Sequence, residues 1–82
     1  MTHEHAAFVL LEAALTNPVG DGCYEAYIDS LEACEAGMSA SEVVQIAERI
    51  AGLQCYGFSA ESLGGAGDLT ARLGWKVRIW RK

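Results

Sequence analysis

CYEAYIDSLEACEA, residues 23–36, sets Tyr24, Tyr27, Ile28, Leu31 and Cys34 at i, i+3, i+4, i+7 spacing. That period predicts an amphipathic helix with one apolar face. The turn residues Val19-Gly20-Asp21-Gly22 precede it, and Gly37 follows where a glycine commonly ends a helix. On the opposite face Glu25, Asp29, Glu32 and Glu35 follow one another at spacings of 4, 3 and 3. No Lys or Arg in the stretch relieves them. Such like-charge pairs cost about 0.2–0.5 kcal/mol each in an isolated helix. The stretch therefore reads as an acidic ridge on the back of a buried helix.

Two more helices are expected on either side. Thr2 can cap a first helix running to about Thr16, where Asn17-Pro18 stops it, because the residue before proline is pushed out of the helical region. Phe8, Leu11 and Leu15 stack on one face of it, and Val9 and Leu10 widen the stripe almost all round. Such a helix belongs at the centre of a core or in a subunit interface. Ser39-Ala40-Ser41-Glu42 has the form of a capping box opening a third helix, with Val43, Ile46, Ala47 and Ile50 as its buried stripe and Gly52 marking its end.

Beyond Gly52, Gln54 to Phe58 is expected as a short strand, Ser62 to Gly67 as a loop, and Leu69 to Leu73 as a short helix capped by Asp68. Trp75 to Trp80 alternates, with Trp75, Val77 and Ile79 on one side and Lys76, Arg78 and Trp80 on the other, which is the period of a strand. A lone strand is not stable, so it must pair with residues 54–58 or with another chain. The fold expected is one mainly α domain (α+β) over residues 1–82: a three-helix core with a small C-terminal helix/strand element.

Eighty-two residues with a hydrophobic share of 51 % suit a single globular domain. No apolar run reaches the roughly 18–20 residues that span a bilayer, and Ala6 to Leu11 lacks the basic flank of a signal peptide, so a cytoplasmic chain is expected. Cys23, Cys34 and Cys55 are odd in number and form no Cys-x-x-Cys pair, which favours reduced thiols over disulfides or a structural zinc. The net charge of −5 is uneven: residues 1–48 hold nine acids and no Lys or Arg, whereas residues 49–82 hold six bases against two acids.

Ala33, Gly37, Met38, Val43 and Ile46 resemble a helix-turn-helix motif in their small residue, turn glycine and spaced hydrophobics. A second fragment, Asp68 to Trp75, is similar to the first half of such a motif. The recognition helix implied by the first match would show Ser41, Glu42, Gln45 and Glu48 with only Arg49 basic. Duplex DNA, with a charge every 1.7 Å or so, would repel it. The C-terminal cations Arg72, Lys76, Arg78, Arg81 and Lys82, interleaved with Trp75 and Trp80, have the composition that tracks single-stranded nucleic acid, though a strand with one wet face has it too.

The remaining motifs are weaker. Gly64-Gly65-Ala66-Gly67 lacks the Lys-Ser/Thr ending of a phosphate loop, and Asp68 would set a carboxylate at the anion site. His3 and His5 flank Glu4, a spacing a free N-terminus could use for copper, but a frayed terminus holds neither histidine as a catalytic base for a cysteine. No catalytic, metal or cofactor residues are therefore assigned. The function expected is that of a small acidic, non-catalytic adaptor or inhibitor. Its partner would be another protein with a basic surface, such as a nucleic-acid-binding protein, with neither membrane nor duplex DNA bound directly. In size and charge alone the chain is similar to phage counter-defence inhibitors, anti-CRISPR proteins among them. The binding residues expected are Glu25, Asp29, Glu32 and Glu35, rimmed by Asp21, Glu42 and Glu48. The alternative is a nucleic-acid-binding regulator with a helix-turn-helix-like element and the basic C-terminal segment. The all-round apolar first helix and the lone strand also favour a homodimer.

Overall fold

Tyr24, Ala26 and Ile28 alternate along the chain as well as Tyr24, Tyr27, Ile28 and Leu31 recur along a helix, and the alternation prevails. In the computed structural model, which describes residues 2–63 and 74–82, residues 23–36 form no single helix. They form strand β2 (Cys23–Asp29) and then a short helix α2 (Ser30–Glu35). Ala26 is buried beneath the helices, while Tyr27 and Leu31, expected inside, are about 60 % exposed. Asp29 divides the two elements: its carboxylate accepts from the amides of Leu31 (2.8 Å) and Glu32 (3.3 Å), the bond pattern of a helix N-cap.

The other elements are α1 (His3–Leu15), β1 (Pro18–Gly20), α3 (Ala40–Leu53), β3 (Tyr56–Ser62) and β4 (Gly74–Arg81). The four strands make one antiparallel sheet in the order β1-β2-β4-β3. The fold is thus α+β, with helices laid on one face of a sheet, and the expected three-helix core does not form. The C-terminal strand, far from being an appendage, is one of the two interior strands, paired with β2 on one side and β3 on the other.

Register explains the core. Across the sheet Tyr24, Ile79 and Phe58 stand in one row, and Ala26, Val77 and Ala60 in the next. Val77 and Ile79, at the middle of both rows, are among the least exposed side chains in the protein. α1 covers them with Ala6, Ala7, Leu10, Leu11 and Ala14, and α3 with Val43, Val44, Ala47 and Ala51. Small residues let both helices sit close to the strands. Phe8 and Leu15, expected beside Leu11 in the core, lie on the outer side of α1 at 52 % and 38 % exposure.

The helix ends follow the expected signals in part. Thr2 caps α1 by accepting from the His5 amide at 3.1 Å, and Gly37 takes a positive φ of 76° after α2. Ser39 occupies the N-cap position of α3 but makes no capping-box bond. Its hydroxyl meets the Ser41 hydroxyl, and its amide donates instead to His3 Nε2 at 3.2 Å. Glu42 lies 3.3 Å from the same nitrogen. His3 therefore ties the start of α1 to the start of α3. The strand expected at 54–58 is placed two residues later and runs on to Ser62. The loop at 64–67 and the capped helix at 68–73 lie outside the described residues.

Candidate functional site

α1 lies alongside β2, and β1 is too short to cover the far half of that strand. β1 pairs only with Cys23 and Tyr24. Asn17 extends the cover by one residue: its side-chain amide donates to the Glu25 carbonyl at 3.0 Å, and its own carbonyl accepts from the Glu25 amide at 3.3 Å. Past Glu25 the edge of β2 opens into a groove of about 270 Å³. One wall is α1 (Ala6, Val9, Leu10, Ala13), the other is the end of β2 with α2 (Tyr27, Ile28, Asp29, Glu32, Ala33), and Met38 closes it. The lining is mostly apolar, with carboxylates only at Asp29 and Glu32. Every lining residue falls in the first 48 residues, where the chain has no Lys or Arg.

The seven acidic residues singled out from the sequence are not gathered on one ridge. Asp29 and Glu32 meet at the groove. Glu35 is exposed at the end of α2, Asp21 in the turn before β2, and Glu42 and Glu48 along α3. Glu25 points to the sheet face opposite the helices and is 8 % exposed. There one carboxylate oxygen accepts from Arg78 Nε at 3.0 Å and from its terminal nitrogen, with Lys76 Nζ 3.3 Å away. For Glu25, then, the basic C-terminal segment folds back onto the acidic one. Two of the cations proposed for nucleic acid are occupied in this way. Arg81 and Lys82 stay exposed, and Arg72 lies outside the described residues.

The Arg78 hydrogen bond, foremost, holds the Glu25 carboxyl below its ordinary pKa, with Lys76 adding to the effect against the opposing influence of burial. A carboxylate whose folded pKa is depressed contributes stability that is complete above the unfolded pKa and is lost as pH falls through the folded value. Melting curves should accordingly show the wild type above Glu25→Gln from neutral pH down to about pH 5. The two should converge as the pH drops further. Parallel curves over the whole range would mean that the pair contributes nothing.

Val9, Tyr27 and Met38 were not expected at a binding site. Their positions depend on α1 meeting the edge of β2, which no local pattern records. The one available signal was the Asp29-Ser30-Leu31-Glu32 start of a helix inside what read as a longer one.

A second hollow, of about 260 Å³, is lined by Ser59, Ala60, Glu61, Lys76 and Arg78 of β3 and β4. Its two cations are those bound by Glu25. Among the described residues no group of His, Cys, Asp and Glu could hold a metal, and no helix is long and apolar enough to cross a membrane. The resemblance to a helix-turn-helix reduces to a six-residue α2 joined at Gly37 to α3. In the second matching fragment, Gly74 and Trp75 belong to β4 and the rest lies outside the described residues. No protein-family model matches the chain, and neither does a curated protein or a solved structure.

Proposed function

We propose that the protein is a non-catalytic adaptor or inhibitor that receives an apolar segment flanked by Lys or Arg from a partner protein. The observation that carries this reading is the groove at the open edge of β2: apolar walls, Asp29 and Glu32 at the lip, and no cation anywhere in the half of the chain that builds it. At about 270 Å³ it is smaller than most small-molecule sites and has room for one or two side chains. The acidic lip would speed encounter with a basic surface and select against acidic ones. Sites of this kind take their affinity from a few buried anchors, which here would sit between Val9, Leu10 and Ile28.

Affinity selection from a displayed library of random peptides tests it. Recovered peptides should carry Lys or Arg beside one or two large apolar residues. Asp29→Asn with Glu32→Lys should weaken them at least about tenfold, the equivalent of roughly 1.4 kcal/mol. The asparagine keeps a helix cap, so the melting temperature should hardly move. Peptides with no basic bias, or unchanged binding by this variant, would refute the reading.

A further inference from the structure

The two edges of the sheet are built differently. β1 has three residues, opens with Pro18, and breaks register between Pro18 and Gly20. Proline, shortness and irregularity are the usual means of keeping an edge from pairing with another chain. β3, at the other edge, has seven residues in regular register with β4 and contains no Pro, Lys or Arg. Its one charge, Glu61, stands opposite Lys76 on its own neighbour.

Hydrogen-bond parity shows what that edge presents. Glu25 turns its amide toward Asn17, away from β4. Its register partner Arg78 must then turn its main-chain groups toward Ser59 of β3, since facing residues alternate in antiparallel pairs. The Gly74 carbonyl agrees, accepting from the Leu63 amide at 2.8 Å on the β3 side. Gly57, Ser59 and Glu61 therefore face β4. Tyr56, Phe58, Ala60 and Ser62 direct their N–H and C=O groups to the outer edge, where no strand lies among the described residues.

We infer that β3 is a self-association edge: two copies pair antiparallel through it, with the two-fold axis at Ser59, and continue the sheet from one molecule into the next. Only registers that set outward residue against outward residue are in phase, and of these the one centred on Ser59 uses all seven residues of the strand. Centring on Phe58 or Ala60 shortens the overlap. In the Ser59 register four pairs of outward residues exchange two hydrogen bonds each. On the helix side Tyr56 meets the partner's Ser62 and Phe58 meets the partner's Ala60, large against small each time. On the other side Gly57 meets the partner's Glu61. The two Glu61 side chains stay four positions apart, about 13 Å along the strand, beyond the roughly 8 Å screening length at physiological salt. Leu53 ends α3 three residues before the strand and is 80 % exposed. It lies within about 10 Å of Tyr56 by chain length, adding apolar surface beside the edge.

The test places a thiol on the axis. Ser59 would oppose the partner's Ser59 in a non-hydrogen-bonded pair, with Cα atoms about 4.5 Å apart, inside the range a disulfide spans. In a Cys34→Ser, Cys55→Ser background, Ser59→Cys should oxidise to a covalent dimer at least about tenfold faster than Glu48→Cys on the exposed side of α3. Equal rates would overturn the register. Sedimentation velocity gives the second measure. The wild type should sediment as a dimer, and Ala60→Pro, which removes an outward N–H, as a monomer with its circular dichroism retained. A wild type that is monomeric at several hundred micromolar, or a dimer that survives Ala60→Pro, would overturn the inference. Should Ala60→Pro fail to fold, the thiol experiment decides alone.

Discussion

Gly57→Val should unfold the protein at a markedly lower temperature, and replacing Trp80 in the same chain should restore much of the loss. Gly57 and Trp80 face each other across β3 and β4, and a Cβ at residue 57 would come within 2.1 Å of Trp80 Cε2 and Nε1. The indole thus lies across the glycine, as aromatic residues do over glycines in sheets. A valine there must displace the ring or push the strands apart. Overpacking of this kind costs about 1–3 kcal/mol. At about 4–8 °C per kcal/mol for a domain of this size, the melting temperature falls by roughly 5–20 °C. With Trp80→Thr also present, the pair becomes two β-branched residues facing each other, an arrangement sheets favour. The double variant should then be more stable than Gly57→Val alone. Thermal melts of the four proteins in a double-mutant cycle measure this, and strict additivity would mean that the indole does not lie over Gly57.

Where a pattern was complete within a few residues, the sequence could be read. Thr2 and Asn17-Pro18 bracket α1, Gly37 marks the end of α2, and the alternation of residues 75–80 shows both that β4 is a strand and which side of it is buried. Residues 23–36 misled because two periods fit them. The inward side chain at the centre of β2 is the small Ala26, which adds little to a strand pattern, while Tyr27 and Leu31 add two large residues to a helix pattern. What decides between them is pairing with residues 74–80, some fifty positions away, and propensity does not register partners at that distance. β3 runs past its expected end at Phe58, where Ser59, Glu61 and Ser62 are polar, as befits an edge, and carry no apolar alternation. Of the candidate site, the acidity was visible and the shape was not. Asp29 and Glu32 are reached through the spacing of a helix that does not form, and the groove needs α1 beside an uncovered stretch of β2. Glu25, expected on an exposed ridge, instead pairs with Arg78 and Lys76 of the basic C-terminal segment.

The sharpest contrast between the two architectures lies in Ile79 and Phe8. In a three-helix core Phe8, with Leu11 and Leu15, would be a principal buried side chain, and Ile79 would belong to a peripheral strand. In the sheet-centred fold Ile79 is 1 % exposed between Tyr24 and Phe58 on an interior strand, and Phe8 is 52 % exposed. Ile79→Ala should therefore cost about 2–5 kcal/mol, the lost transfer energy of the side chain plus the cavity left beneath two helices. Domains of this length have about 4–12 kcal/mol in all, at roughly 0.05–0.15 kcal/mol per residue. The variant should thus melt roughly 10–30 °C lower or fail to fold at 37 °C. Phe8→Ala removes a larger side chain, yet it should shift stability by no more than about 0.5 kcal/mol, as surface substitutions do. Urea denaturation of both variants beside the wild type measures the order. The reverse order, with Phe8→Ala the more damaging, would return the core to the helices and leave β4 at the periphery. If Phe8→Ala is instead neutral in the melt but changes the sedimentation coefficient, then α1 contributes its outer face to an interface, and the dimer does not rest on β3 alone.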